Sequence, residues 1–305
     1  MVVPTASFAY EKTKIDVPAQ NDFVVEPGKT EIIVNPGETV TKNISVISRV
    51  DHPVHFTLST EDLVGSDDPN QTVVLLGNEK GPYSLKNLIT PEISDFTLSL
   101  GEKITIPVTV SVPKDAEPRG YYGALIVAND PQLPNGTNAS EAQGQTRIIS
   151  RIGSLFLVKV KGEGVESGEL KDFKLMDPAH AIYASHPAGF EIAYKNTGTV
   201  HLVPYGTITI KNTFGKKIAT LPVDAYFVLP DSTRYRQISW EAGFGIGRYT
   251  AELSLYKGYG DQTETAKVSF WILPWKILLG LFAVIVVVVA IVYYISVRFE
   301  IRRKH

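Results

Sequence analysis

The chain has 305 residues, with 30 Lys and Arg against 32 Asp and Glu, a net charge of -2, 24 Gly, 19 Pro, 14 Tyr and no Cys. Without cysteine, disulfides, thiolate metal sites and cysteine nucleophiles are excluded, and the balanced charge excludes the broad basic surface that nucleic-acid binding needs. This length allows about two domains, and the Gly, Pro and Tyr content suits many short strands joined by turns.

The first residues, MVVPTASFAYEKT, contain no basic segment followed by an apolar stretch. Ser7 and Ala9 are small residues of the kind a signal peptidase prefers, so residues 1–20 read as the remnant of an export signal; the alternative is a disordered N-terminus on a cytosol-facing protein. From residue 21, hydrophobicity alternates with a period near 2 and turn residues recur about every 10 positions, which is the pattern of strands.

Thr30 to Val34, a Pro36-Gly37 turn, Val40 to Ile47 and His55 to Ser59 form the opening strands, with Val40, Ile44 and Val46 toward a core. Residues 60–93 read as an irregular acidic loop with an apolar interlude at 72–76. Its Asp62, Asp67, Asp68 and Asn70 offer oxygen ligands to Ca²⁺ but lack the spacing of a 12-residue calcium loop, so a solvated loop is the preferred reading. Phe96 to Leu100 and Ile104 to Val112 follow, the latter placing Ile104, Ile106, Val108, Val110 and Val112 on one face. In PKDAEPRGYYGALIVAND, Gly120 and two tyrosines precede the strand Ala124 to Ala128; either Tyr121 or Tyr122 suits the tyrosine corner of an immunoglobulin-like sandwich. A polar loop at 131–145 and one or two strands in 146–161 complete a first sandwich, residues 21–161. GEGVESG, residues 162–168, reads as a flexible linker.

Residues 169–270 repeat these devices. Strands are expected at 190–194, 206–211, 217–223 and 235–240, with an Asn196-Thr197-Gly198 turn, a hairpin at NTFGK (212–216) and a turn at 229–232. A second corner sets Gly247 and Tyr249 ahead of Ala251, Leu253 and Leu255.

Ile277 to Val297 reads ILLGLFAVIVVVVAIVYYISV without a charge. At about 1.5 Å per residue its 21 positions span about 31 Å, close to the hydrocarbon thickness of a bilayer. Trp271 and Trp275 precede the block, Tyr293 and Tyr294 close it, and the 298–305 tail carries Arg298, Arg302, Arg303 and Lys304. Aromatic belts and the positive-inside rule then put the tail in the cytoplasm and everything before Trp271 outside. Trp271-Ile272-Leu273 spells W-x-L, but its place at the membrane edge reads as an interfacial anchor. The expected fold is therefore all-β: two tandem immunoglobulin-like β-sandwich domains, a 271–297 membrane anchor containing one C-terminal transmembrane α-helix, and a basic tail.

Chemistry is sparse. The six histidines form no H-E-x-x-H, and His52 and His55 point to opposite faces of a strand. No G-x-S-x-G elbow or phosphate loop occurs, and Gly243, Gly245 and Gly247 precede no helix, so they read as a turn. No catalytic, cofactor or metal residue is expected. The candidate partner-binding residues are Tyr121, Tyr122, Tyr256 and Tyr259, which lie near strand ends where a tyrosine stacks on a sugar or anchors a protein. Asn43, Asn70, Asn135 and Asn138 are glycosylation sequons.

The segments NPGETVTKNISV, PRGYYGALIV, NTFGKKIATLPV, VLPDSTRYRQISW and FGIGRYTAEL, with a last strand running into WILPWK and one membrane helix, are similar to the WxL-interacting family of bacterial cell-surface proteins. That resemblance implies a first domain that binds peptidoglycan and a second that engages a host or partner protein, and it transfers no site residue. The expected function is a non-enzymatic, single-pass surface protein presenting its sandwiches to peptidoglycan or another surface protein. The alternatives are an envelope assembly factor resembling pilus chaperones and a carbohydrate-active enzyme with an unrecognised loop site.

Overall fold

The computed structural model describes residues 10–130, 149–177, 182–184, 187, 189–241 and 245–298. Ser7 and Ala9 of the expected signal remnant, the 131–145 loop, Gly243 and the tail residues Arg302, Arg303 and Lys304 lie outside these residues. Contacts divide the chain into two compact units. One is Met1–Gly168 with Lys195–Leu202 and Phe227–Arg234; the other is Glu169–Tyr194, Val203–Tyr226 and Tyr235–His305.

The first unit is a sandwich of two sheets. One runs β1 (Glu11–Lys14), β9 (Glu102–Ser111), β4 (Thr39–Ser48), β2 (Phe23–Glu26), with β7 (Ile89–Pro91) also on β9. The other runs β3 (Lys29–Val34), β11 (Arg151–Val160), β10 (Gly120–Asp130), β5 (Val54–Gly65), β6 (Val73–Leu75), with β8 (Asp95–Leu98) also on β5. The alternation expected of β9 is observed: Ile104, Ile106, Val108 and Val110 are completely buried. On its outer face, the Thr105 and Thr109 hydroxyls meet Ser45 and Thr41 of β4 at 3.1 Å.

β10 is buried on both sides. Leu125 and Val127 join the core between the sheets, while Tyr122, Ala124 and Ile126 pack on the opposite face with Leu63, Leu157 and Leu229. The unbroken apolar run ALIVA is the sequence mark of a strand covered twice.

Two expectations are corrected. The 60–93 stretch is not a single loop, because β5 continues to Gly65 and takes Glu61 and Asp62 into the sheet as buried residues. Both charges are satisfied: Glu61 pairs with Arg151, and Asp62 accepts the Gly81, Leu85 and Lys86 amides at 3.0, 2.9 and 2.8 Å. Asp67 accepts the Thr233 amide and Asp68 accepts the Asn70 amide, so the supposed calcium ligands serve the backbone. The 162–168 stretch is also held, not loose. The Val165 amide donates to the Thr199 hydroxyl, the Thr199 amide to the Val165 carbonyl and the Thr197 amide to the Ser167 carbonyl, at 2.8 to 3.0 Å.

The second unit has a three-stranded sheet, β12 (Gly168–Leu175), β14 (Gly189–Asn196), β17 (Thr233–Ser239). Its five-stranded partner runs β13 (Ile182–Tyr183), β19 (Thr263–Ile272), β18 (Gly247–Tyr256), β15 (Tyr205–Asn212), β16 (Lys217–Val223). Phe270 centres the core, its ring 5.7 Å from Trp240, 5.9 Å from Tyr249 and 6.2 Å from Phe190. In each unit a short early strand runs parallel to the last one, β3 beside β11 and β13 beside β19. The fold is thus the expected all-β pair of immunoglobulin-like sandwiches. One helix follows, α1 (Trp275–Arg298), with no buried residue and long and apolar enough to cross a membrane.

Candidate partner-binding edge

In the first unit the tyrosine pair falls on opposite faces of β10. Tyr121 is half-buried against the inner core, and its hydroxyl donates to the Glu117 carbonyl four residues upstream at 3.4 Å, which is the tyrosine-corner bond. The Arg119 guanidinium lies between the Tyr121 and Tyr83 rings, 5.2 and 5.5 Å from their centres. Tyr122 is buried, with its hydroxyl 3.4 Å from His201 Nδ1. Gly120 makes room for it, since a Cβ there would fall 1.8 Å from the Tyr122 oxygen. Of the pair, Tyr122 is the one whose ring is enclosed.

Beside Tyr122 is a cavity of about 200 Å³ lined by Leu63, Gly65, Tyr83, Leu229 and Asp231 among others. The Tyr83 hydroxyl donates to Asp231 Oδ2 at 3.1 Å, and burial with that carboxylate raises its pKa. Burial pushes the Tyr122 phenol far up and the His201 imidazole down to about 4. Both groups are therefore neutral at pH 7, and Asp231 is the one carboxylate in the lining, whereas glycoside hydrolysis uses two.

His201 has a pH consequence. Its folded pKa lies below the unfolded value of about 6.5, so the unfolded chain binds the extra proton, and stability falls as pH drops from about 6.5 to 4. In urea unfolding at pH 7 and pH 4, the wild type should lose on the order of 2 kcal/mol more than His201→Gln. Equal losses would mean that the imidazole is solvated.

In the second unit, Tyr256 and Tyr259 lie at the hairpin joining β18 and β19. The Tyr256 ring is 4.8 Å from the exposed Tyr205, and the Lys257 ammonium is over Tyr259 at 5.4 Å. These two tyrosines share one end of the sheet, and they are half-buried.

The stronger feature is the adjoining strand. The Lys257 amide donates to the Gln262 carbonyl at 2.9 Å, and from this closing bond the antiparallel alternation runs along the β18–β19 ladder. Glu264, Ala266, Val268 and Phe270 therefore bond to β18, while the N–H groups of Thr265, Lys267 and Ser269 point away from it. On that outer side β13 reaches only Trp271 and Ile272, so among the described residues Thr263 to Phe270 has no strand beside it. Facing this edge is a cavity of about 470 Å³ lined by Leu170, Asp172, Phe173, Glu264 and Ala266. Glu264 Oε2 crosses it to accept the Leu170 amide of β12 at 2.6 Å, and Lys257 holds the same carboxylate at 2.9 Å. The outward-facing side chains of this strand, Thr263, Thr265, Lys267 and Ser269, are polar or charged, which guards the edge against indiscriminate pairing.

Sequence reasoning found the tyrosines and missed this edge. Its signal was TETAKVSFWI, in which Thr265, Lys267 and Ser269 alternate with Ala266, Val268 and Phe270. The residues expected at a membrane edge are exposed: Trp271 by 49%, Trp275 by 54%, Tyr293 by 70% and Tyr294 by 59%, with the Arg298 guanidinium 6.0 Å from the Tyr294 ring centre. Trp275 and Arg298 are the first and last residues of α1.

No family model and no curated protein matches the sequence. Among solved structures, the class 5 fimbriae chaperone CfaA is similar at a TM-score of 0.38 and 12% identity, over 83% of this chain and 100% of that one. The E. coli chaperone DraB gives 0.35 and 12%, over 82% and 96%. The CsuC-CsuE chaperone–tip adhesion subunit pre-assembly complex of Acinetobacter baumannii gives 0.37 and 13%, over 81% and 97%.

Proposed function

We propose that this chain is a non-enzymatic, single-pass membrane protein that captures an extended segment of another exported protein as an added strand on the open edge of β19. The observation that carries the reading is that, among the described residues, no strand lies beside Thr263 to Phe270, whose outward N–H groups adjoin the cavity. Main-chain hydrogen bonds along such an edge supply affinity, and a groove beside it takes side chains and supplies selectivity. Trp271 before α1 and Trp275 at its start, with Tyr293, Tyr294 and Arg298 at its end, support a tail in the cytoplasm and sandwiches outside.

Thr265→Pro tests the edge. It removes an outward donor while leaving the bonds to β18 intact, so stability should change by less than about 1 kcal/mol. With a photo-crosslinking residue at Ser269 in whole cells, an adduct with an exported protein should form and should vanish in the Thr265→Pro background. An adduct indifferent to the proline would contradict strand addition. Protease added to intact cells should remove the sandwiches; their survival would reverse the orientation.

In a second form of the same reading, the captured segment belongs to a subunit awaiting assembly. The partner would then be displaced by a competing subunit, whereas a partner that resists displacement contradicts this form. The WxL-interacting resemblance adds peptidoglycan as a ligand of the first unit. The purified chain should then sediment with purified peptidoglycan, and retention in the supernatant would remove wall binding.

A further inference from the structure

The hairpin between β15 and β16 carries Phe214 at its tip, and this side chain is 92% exposed. The tip is firmly built. Asn212 Oδ1 accepts the Phe214 and Lys216 amides, each at 3.0 Å, and Gly215 turns with φ of 75°. The Thr213 hydroxyl donates to the Arg248 carbonyl at 2.9 Å, fastening the tip to the start of β18. A phenyl ring held out in this way on an ordered turn is a presented group.

Register shows where it is presented. Asn212 lies opposite Tyr249, and Tyr249 lies opposite Phe270, so the three share one level across the sheet. β15 and β19 run in the same direction. Phe214, two residues past Asn212, therefore stands level with Ile272, two residues past Phe270. α1 begins three residues later, at Trp275. The same end of the sheet exposes Ile246, Trp271 and Leu273, and Lys216 and Lys217 flank the tip.

We infer that this hairpin seats on the bilayer that α1 crosses, with Phe214 among the lipid headgroups and acyl boundary and Lys216 and Lys217 against lipid phosphates. An aromatic side chain flanked by lysines at the level of a membrane entry point matches an interfacial environment, apolar below and anionic above. α1 and the hairpin then make two attachments, which fix the second unit's tilt on the membrane. The inference rests on the reading of α1 as a membrane anchor.

Because the chain lacks cysteine, single-cysteine variants place an environment-sensitive fluorophore at chosen sites. The full chain is reconstituted into phosphatidylglycerol–phosphatidylethanolamine vesicles carrying nitroxide lipids. Lys216→Cys, which keeps Phe214, should give blue-shifted emission that is quenched by a shallow nitroxide. Adding Phe214→Ser should return that emission to its aqueous position. Gln262→Cys, in the hairpin at the other end of the sheet, should read as aqueous, and Val287→Cys, inside α1, should be quenched by a deep nitroxide. If Val287 is not quenched, the anchor reading itself fails. If Val287 is quenched but Lys216 behaves like Gln262, or if Phe214→Ser leaves the Lys216 signal unchanged, membrane seating by the hairpin is overturned.

Discussion

Replacing Asp62 by alanine will destabilise the first unit by about 3 to 5 kcal/mol. The carboxylate is fully buried, and it alone collects the amides of Gly81, Leu85 and Lys86, so its loss leaves three inward-facing donors to find water. Burial by itself would raise the Asp62 pKa, but the bonds from the Ser84 side chain and these amides outweigh it and hold the carboxyl below its usual range. A depressed carboxylate contributes stability that is fully present above its unfolded pKa of about 3.9 and is lost as pH falls through the lower, folded value. The gap between wild type and Asp62→Ala should therefore be constant from pH 7 to 5 and close below about pH 4. Circular dichroism is the suitable signal for the urea unfolding, because Trp240, Trp271 and Trp275 all lie in the second unit. A loss under about 1 kcal/mol would mean that the 77–88 segment holds its shape without the carboxylate.

Asn196 carries the second large effect. It is fully buried, its Nδ2 donates to the carbonyls of Val200 and Val228 at 2.8 Å each, and its Oδ1 accepts the Gly198 amide at 2.8 Å. One side chain thus ties the Lys195–Leu202 and Phe227–Arg234 segments together. Asn196→Ala should cost about 2 to 4 kcal/mol. Asn196→Asp should cost more, because a carboxylate would face two carbonyl oxygens in place of the donor they need. Urea midpoints in the order wild type, alanine, aspartate check this, and an aspartate variant more stable than alanine would contradict it.

Strands with long alternation were legible, whereas β2 and β12, each with a buried face, were not read as strands. Ile104 to Val112 announced its inward residues by simple alternation, and Lys217 to Val223 was read to its ends. The run ALIVA was read as a strand, but neither that it is covered on both sides nor what covers it was read. That depends on Leu229 in Leu-Pro-Asp-Ser, a stretch whose chemistry declares a turn and says nothing about what the turn packs against. Asp62 was misread for a related reason: a carboxylate beside Glu61 reads as solvated unless one knows that three amides of a segment about 20 residues away converge on it. The tyrosines singled out as contacts are largely spent on structure, Tyr121 in its corner and Tyr122 against His201. The open edge was written in the sequence as an alternating strand, yet an edge is defined by what does not lie beside it, and that is decided by topology. The exposure of Phe214 was hidden in the same way inside a hairpin motif whose Asn and Gly were the readable part.

The reading of this chain as a strand-capturing membrane protein is tested most directly by residue-resolved amide exchange along β19 in the full chain, with and without its crosslinked partner. In the free chain, Thr265, Lys267 and Ser269 should exchange within the range of unpaired amides, while Ala266, Val268 and Phe270, bonded to β18, stay protected. In the partner-bound chain the first three should become as slow as the second three. Equal protection of all six in the free chain would show the edge already occupied, and unchanged exchange on partner binding would place the interface elsewhere.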